Sequence, residues 1–275
     1  MLFENQTVVV TGAGRGIGAA AARAFAAHGA RVVVNDLDEG PAQETAQAIE
    51  AAGGEALAVA GSVTEDGFPE ALLQAAVDRF GGLNVLVNNA GFTWDGMLHT
   101  MTDEQWRAVL EVHATAPFRM IRAAAAHLRE PAKAELAAGE PFSQNRCIVN
   151  VSSVSGLHGN VGQINYATAK MGIVGLTKTV AKEWGRFGIR CNAVAFGFMD
   201  TRMTQSKEAG ETATVGDRAI PQGIPEAMRA RATTGNPLGR PGTPEEAAGG
   251  ILMMASPLAG YVTGHTLEVT GGAGI

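Results

Sequence analysis

The sequence predicts an α/β fold, a doubly wound parallel sheet flanked by helices. Two patterns lead there. Short β-branched runs alternate with alanine-rich stretches of helical length, β then α, along most of the chain. The runs are continuously apolar, as in "VVV" at 8–10 and again at 32–34, and a strand with no polar face is covered on both sides. Composition supplies a bound. With 275 residues, 46% hydrophobic and 17% charged, the chain suits one domain spanning 1–275.

In order, "TVVVT" (7–11) is the first strand and "GIGAAAARAFAAHG" (16–29) the first helix. "RVVVND" (31–36) pairs with "PAQETAQAIEAAGG" (41–54), and "EALAVA" (55–60) with "EDGFPEALLQAAVDRFGG" (65–82). "NVLVNNAG" (84–91) leads into one long helical stretch, 102–130. "RCIVNVSS" (146–153) and "IRCNAVAFG" (189–197) are two further strands with a helix between them, and "HTLEVTGG" (265–272) is the last. Residues 130–145, with Pro131, Gly139 and Pro141, interrupt the regularity. So do residues 198–239, rich in Met, Pro, Gly and Thr; a connection this long reads as a lid or binding loop. No internal repeat is present.

The formal net charge of −6 and the dispersed Lys and Arg residues argue against a nucleic-acid surface. Cys147 and Cys191 lie far apart without metal-ligand spacing, so neither a disulfide framework nor a metal site is expected. The start "MLFENQTVVV" has no basic, apolar leader pattern, and no apolar run approaches the roughly 18 residues of a membrane span. A soluble cytoplasmic protein is expected.

Two motifs carry chemistry. In "TGAGRGIG", Gly12, Gly16 and Gly18 fall between a strand and a helix, where glycine lets the backbone turn tightly and approach a pyrophosphate at the helix N-terminus. Asp36 closes the second strand, placed to accept hydrogen bonds from an adenosine ribose and to repel a 2′-phosphate. This favours NAD. Arg15 in the glycine loop offsets part of the repulsion and keeps NADP possible. In "GQINYATAK", Tyr166 and Lys170 share one helix face. An unscreened charge about 4 Å away at an effective dielectric of about 20 contributes roughly 4 kcal/mol, and about 1.4 kcal/mol moves a pKa by one unit. Lys170 is therefore expected to bring the phenol into working range.

With "TGAGRGIG", "NNAG" and "SSVSG…YATAK" in this order, the chain resembles the short-chain dehydrogenase/reductase superfamily over nearly its whole length. The resemblance implies a Rossmann-like fold and an NAD(P)-dependent oxidoreductase interconverting a secondary alcohol and a ketone. By it, Tyr166 donates and accepts the proton, Lys170 lowers its pKa and holds the nicotinamide ribose, and Ser153 hydrogen-bonds the substrate oxygen. It also implies a cofactor groove lined by Ile17, Ser62, Val63, Asn89, Ala90, Gly91, Gly197 and Thr201 beside the glycines, Arg15 and Asp36. Besides "GEPFSQNRC" (139–147), which with the residues before it lengthens a connection that is short in most members, three positions depart from the family pattern. Phe196 stands where a proline is usual, Ser62 where an aspartate commonly holds the adenine, and His113 where the fourth catalytic residue is usually asparagine. His113 is expected to join the proton relay and, because an imidazole changes charge between about pH 5 and 8, to add its ionisation to the pH dependence of turnover.

Within the superfamily, "GNVGQINYATAKMGIVGLTK" and the ending "PLGRPGTPEEAA…YVTGHTLEVTGG" look most like 3-oxoacyl reductases and 3-hydroxyacyl-CoA dehydrogenases. The expected substrate is a small molecule, a 3-hydroxyacyl or 3-oxoacyl group as a CoA or carrier-protein thioester. Arg119, Arg122 and Arg129, on one helical face, are candidates to receive its phosphate. A steroid, terpene or other bulky alcohol is the rival substrate, since Met199, Met203, Ile220, Ile224 and Met228 of the lid suit either. A non-catalytic NAD sensor is the rival class, although it has no need of Ser153, Tyr166 and Lys170. The resemblance further implies a homotetramer or homodimer.

Overall fold

In the computed structural model, which describes residues 1–142, 144–215 and 218–274, the first half of the chain alternates strictly. It runs β1 (Thr7–Val10), α1 (Gly16–Ala27), β2 (Arg31–Asp36), α2 (Glu39–Ala51), β3 (Glu55–Ala60), α3 (Phe68–Phe80) and β4 (Val85–Asn88). There follow α4 (Asp103–Leu110), α5 (Ala116–Ala124), α6 (Glu130–Ala137), β5 (Arg146–Ser153), α7 (Val154–His158), α8 (Ile164–Trp184) and β6 (Ile189–Phe196). The chain ends with a hairpin, β7 (Thr212–Val215) and β8 (Arg218–Pro221), then α9 (Glu226–Thr234), α10 (Pro244–Ala255) and β9 (Thr266–Val269). Seven strands form one parallel sheet in the order β3-β2-β1-β4-β5-β6-β9.

Each central strand feeds two cores. Val8 and Val10 of β1 pack with Ala20 and Phe25 of α1, Ala46 of α2 and Ile251 of α10; Val9 packs with Leu72 of α3, Met120 of α5 and Trp184 of α8. Both sides of the sheet are therefore dry, which is why these strands read as unbroken apolar runs. The helices after β1 and β4 lie on opposite faces. Their divergence opens a crevice at the carboxyl ends of the two strands.

The expected single helix at 102–130 is interrupted twice, by π-helical turns at Glu111–Thr115 and Ala125–Arg129. Residues 130–145, expected to be irregular, begin instead with α6. Pro131 does not break it: it falls directly after the π-helical turn Ala125–Arg129, and the chain stays helical through it. The last helix, α10, was absent from the sequence expectation; Thr243 and Glu246 start it with a reciprocal capping box, and it packs along α1. Phe196, where proline is usual, ends β6 as a buried core residue paired with Val269. Among the described residues no helix is long and apolar enough to cross a membrane.

α6 is tied to the sheet by charge. Arg146, 3% exposed at the start of β5, donates from both guanidinium nitrogens to Glu135, at 2.9 and 2.5 Å. Hydrogen bonding to Arg146 holds the Glu135 carboxyl below the usual carboxylate range. Removing one partner of a buried pair strands the other charge, at about 3–5 kcal/mol, whereas replacing both with apolar groups of similar volume is often close to neutral. Glu135→Ala is accordingly expected to lower the unfolding free energy by roughly 3 kcal/mol. Urea unfolding checks this, and the double variant E135L/R146M should recover most of the loss.

Candidate active site

A cleft of about 1020 Å³ opens at the carboxyl edge of the sheet, running from the glycine turn and Asp36 past Asn89, His113 and Tyr166 to Met203 and Met228. At one end the backbone is drawn in closely. Gly12 has φ +62°, and a Cβ there would lie 2.7 Å from Ala90 Cα; one on Gly18 would lie 2.1 Å from the Gly12 carbonyl oxygen. Gly16, with φ +54°, has nothing within 4 Å of its missing side chain. Only at Ala19 does an N–H of this first turn close on a carbonyl, that of Arg15, and neither a side-chain cap nor an acidic residue occupies the start of α1. Arg15, Ile17 and Gly18 line the cleft beside these N–H groups. Uncapped N–H groups over a glycine cradle fit a pyrophosphate.

The walls are tied together by side chains. Asn89 Nδ2 donates to the carbonyls of Thr11 and Gly12 at 2.9 and 3.0 Å, while the Thr11 hydroxyl oxygen accepts from the N–H groups of Asn89 and Ala90. Asp36 accepts from Gly14 N at 2.8 Å and from Asp38 N at 3.2 Å. Arg15, expected to offset Asp36, is instead paired with Asp38 at 3.0 Å. Ser62 lines the cleft bonded to the Thr64 hydroxyl at 2.7 Å, next to the buried Val63. Gly197 and Thr201 follow β6 along the opposite wall.

Ser153, Tyr166 and Lys170 meet at the centre. Ser153 ends β5, caps α7 by accepting from Ser155 N at 3.1 Å, and lines the cleft together with Tyr166. Tyr166 and Lys170 stand one turn apart on α8, with Lys170 Nζ 5.5 Å from the ring centre. The ammonium, 4% exposed, donates to the Val151 carbonyl at 2.8 Å. The electrostatics correct the expectation that Lys170 brings the phenol into working range. With protein groups alone around them, burial pushes Tyr166 up to about 12 against the lowering effect of Ser153, and the same burial brings Lys170 down to about 7.

His113 sits in the first π turn, 2% exposed, its ring edge-on to Tyr166 at 5.0 Å. Its Nε2 lies 2.7 Å from the Phe92 carbonyl, an acceptor only, so Nε2 carries the proton. Nδ1 is buried without a hydrogen-bond partner among the described residues. Gly91 leaves the ring its space, for a Cβ there would lie 2.1 Å from His113 Cε1. Burial, and then the Lys170 charge, hold the imidazole well below 6.5. The expected ionisation of His113 during turnover near neutral pH is therefore corrected: the ring stays neutral there.

Sequence reasoning missed several polar groups around this centre. Asp95 accepts from Gln163 at 3.1 and 3.2 Å, and desolvation raises its pKa. The fully buried Asn165 bridges Trp94 and Gln105. Gln222 reaches Thr93 from the segment expected as a lid. Gln163 and Asn165 stood inside the quoted "GQINYATAK", so proximity to the tyrosine was the available signal. Of the lid residues, Met199, Met203, Ile224 and Met228 line the cleft, while Ile220 is buried outside it. The arginine face is largely engaged. Arg119 pairs with Glu111 at 2.8 Å, Arg129 with Glu130, and Arg122 stacks on Phe118.

A switch-point crevice with a glycine cradle and two hydroxyls beside a buried lysine defines a dinucleotide-dependent oxidoreductase. The chain belongs to the short chain dehydrogenase family, which it matches over residues 6–212, and that membership makes it an oxidoreductase using NAD or NADP. It is 41% identical to an uncharacterized oxidoreductase of Mycobacterium bovis, with 98% of each chain covered. It is 40% identical to a 3-oxoacyl-[acyl-carrier-protein] reductase of Synechocystis, covering 97% of this chain and 96% of that one. The corresponding reductase of Vibrio cholerae is 38% identical, over 99% and 98%.

The depressed His113 has a measurable consequence. Between its folded value and 6.5 the unfolded chain binds the extra proton, so stability is full above that window and falls as pH drops through 6.5. From pH 6.5 to 5.5 this histidine alone is expected to cost about 1 kcal/mol. Urea unfolding at both pH values should show the parent losing that much more than His113→Asn.

Proposed function

We propose that the protein is an NAD-linked oxidoreductase interconverting 3-hydroxyacyl and 3-oxoacyl thioesters. The observation that carries it is the convergence of Ser153, Tyr166 and Lys170 between a glycine cradle and a cleft end lined by Met203, Ile224 and Met228. Relatives named 3-oxoacyl-[acyl-carrier-protein] reductases, alike over nearly their whole length, support the thioester. The same proposal takes residues 1–275 as one catalytic domain with 198–239 as its lid. It includes a cytoplasmic setting and a homodimer or homotetramer, for which the half-exposed Phe118 of α5 and Met171 of α8 offer apolar surface.

In this reading the nicotinamide, when bound, exchanges a hydride with the carbinol carbon. Tyr166 exchanges the accompanying proton with the oxygen, so a ketone gains one hydride and one proton. A phenol held near 12 keeps its proton at neutral pH, which suits donation to a carbonyl as charge develops on its oxygen. Ser153 fixes that oxygen beside the phenol. Lys170 supplies the cation that balances phenolate, and the ammonium loses no solvation it has not already lost on burial. His113 acts as a neutral, fixed dipole beside the Tyr166 ring. The glycine cradle with Arg15, Ile17 and Gly18 holds the pyrophosphate, Asp36 the ribose, Ser62 and Val63 the adenine side, and Asn89, Ala90, Gly91, Gly197 and Thr201 the remaining groove.

NAD is favoured over NADP because Asp36 and Asp38 both stand at the end of the cleft where a 2′-phosphate would arrive, while Arg15 is already committed to Asp38. Two like charges about 4 Å apart at an effective dielectric of about 20 repel by roughly 4 kcal/mol before screening. The test variant is Asp36→Asn, which keeps an acceptor for Gly14 N. Its NAD to NADP ratio of kcat/KM is expected to fall at least about tenfold. A parent enzyme that already prefers NADP would overturn the assignment.

The reaction itself is tested by NADH formation over a panel of 3-hydroxyacyl-CoAs, steroids and simple alcohols. Thioesters are expected to react fastest. Tyr166→Phe should bind NAD as the parent does and turn over roughly a thousandfold or more slowly. Fast turnover of a steroid instead would move the assignment to a bulky alcohol, and NAD binding with silence across the panel would point to a sensor.

A further inference from the structure

Five consecutive residues after β4, Phe92 to Gly96, are each gripped by a different polar group. Phe92 O receives His113 Nε2–H at 2.7 Å; Trp94 O receives Asn165 Nδ2 at 3.0 Å; the Asp95 carboxylate receives Gln163 Nε2; Gly96 N donates to Gly162 O at 2.8 Å. Asn165 and Gln163 immediately precede Tyr166 at the head of α8, and Asn165 Oδ1 also accepts the Tyr166 N–H at 2.8 Å. The segment thus spans the two groups on either side of the proposed reacting centre. Thr93 is its second residue, and no residue of α5 or α8 holds it.

Thr93 is held by Gln222, directly after β8. Gln222 Oε1 accepts from Thr93 N and Oγ1, both at 3.3 Å, and Nε2 donates to Thr93 O at 2.9 Å. A primary amide reads both backbone groups of one residue in a single orientation. The glutamine is 2% exposed, an unusual setting for this residue type unless its hydrogen bonds are made. Without it, the Thr93 N–H and C=O lose their partners and the segment must shift toward water. Such a shift would draw Phe92 O away from His113 and loosen the imidazole that abuts Tyr166 at 5.0 Å.

We propose that Gln222 is a positioning residue for the reaction: through Thr93 it fixes the Phe92–Gly96 segment and, with it, the His113 ring against Tyr166. This rests on the assignment of Tyr166 as the proton-transfer group. It makes the long insertion between β6 and α10 part of the catalytic geometry and not only a cover over the apolar end of the cleft. A residue in this role affects the rate of the bound complex, whereas a residue that only touches substrate affects its affinity.

The test uses Gln222→Met, which keeps the length and removes both polar atoms, and Gln222→Glu, which keeps the acceptor and removes the donor. In the full-length protein, kcat and KM are measured with the reactive thioester, NAD affinity by titration, and amide exchange by mass spectrometry on a peptide covering residues 92–96. Gln222→Met is expected to lower kcat at least about tenfold with KM within about threefold, unchanged NAD affinity and clearly faster exchange, with Gln222→Glu intermediate. A kcat within about twofold of the parent, a change confined to KM, or unchanged exchange in this peptide would overturn the proposal. Should Gln222→Met not fold, Gln222→Glu is read by the same criteria. Should no substrate in the panel react, the catalytic assignment fails while exchange still decides whether Gln222 holds the segment.

Discussion

β1 and β4 lie side by side in the sheet, yet the helices that follow them pack on opposite faces, so the chain leaving the two strands must part. Everything at the site depends on how that parting is controlled. The opening is bridged by Thr11 and Asn89, whose four hydrogen bonds lock the turn after β1 to the turn after β4. Gly12 and Gly18 are demanded by the same closeness, since the bridged backbones leave no room for a Cβ. The uncapped start of α1 is thereby held facing the crevice, and Asp36 of the neighbouring strand braces the glycine loop through Gly14 N. The carboxylate proposed to discriminate between ribose and 2′-phosphate is thus also a structural strut.

The second constraint is burial at the carboxyl end of β5. Lys170 is almost fully enclosed and spends one of its three N–H groups on Val151 O, leaving the others for partners in the cleft. Dehydration disfavours charge on both Tyr166 and Lys170, so in the protein alone a neutral phenol and a readily deprotonated amine coexist. The Asp95 carboxylate pushes the phenol in the same direction as burial, and Ser153 opposes both. The elements of the site therefore do not add up to a standing phenolate. In the proposed reaction they hold a proton that a developing negative charge on a neighbouring oxygen can claim.

How much of this was legible depended on the range of the contact. The central strands stood out because burial on both faces leaves largely apolar runs, and Tyr166 and Lys170 stood out because one helical turn is a fixed spacing. α6 was hidden by Pro131, which reads as a helix breaker but follows a π-helical turn without ending the helical path. α10 was hidden by its Gly249–Gly250 pair, although Thr243 and Glu246 carried a capping signal. Among the described residues of the β7–β8 hairpin, Ala213 and Ile220 are the buried apolar ones, too few for a periodic pattern. The Gln222–Thr93 contact joins residues 129 apart in sequence, and the Asp95–Gln163 contact residues 68 apart; no spacing rule reaches across such intervals.

His113 shows what a single replacement changes. An amide presents its donor and its acceptor on separate atoms and can satisfy a backbone C=O and N–H together. The imidazole meets the Phe92 carbonyl with Nε2–H, cannot then accept from the Phe92 N–H 3.3 Å away, and leaves Nδ1 buried without a hydrogen-bond partner among the described residues. The ring also makes an edge-on aromatic contact with Tyr166, worth about 0.5–1.5 kcal/mol. The replacement changes the character of the site. The ring is fixed by Phe92 on one side and by the phenol on the other, over a residue that must be glycine. In place of a small amide, the tyrosine proposed to react rests against a rigid, uncharged plane.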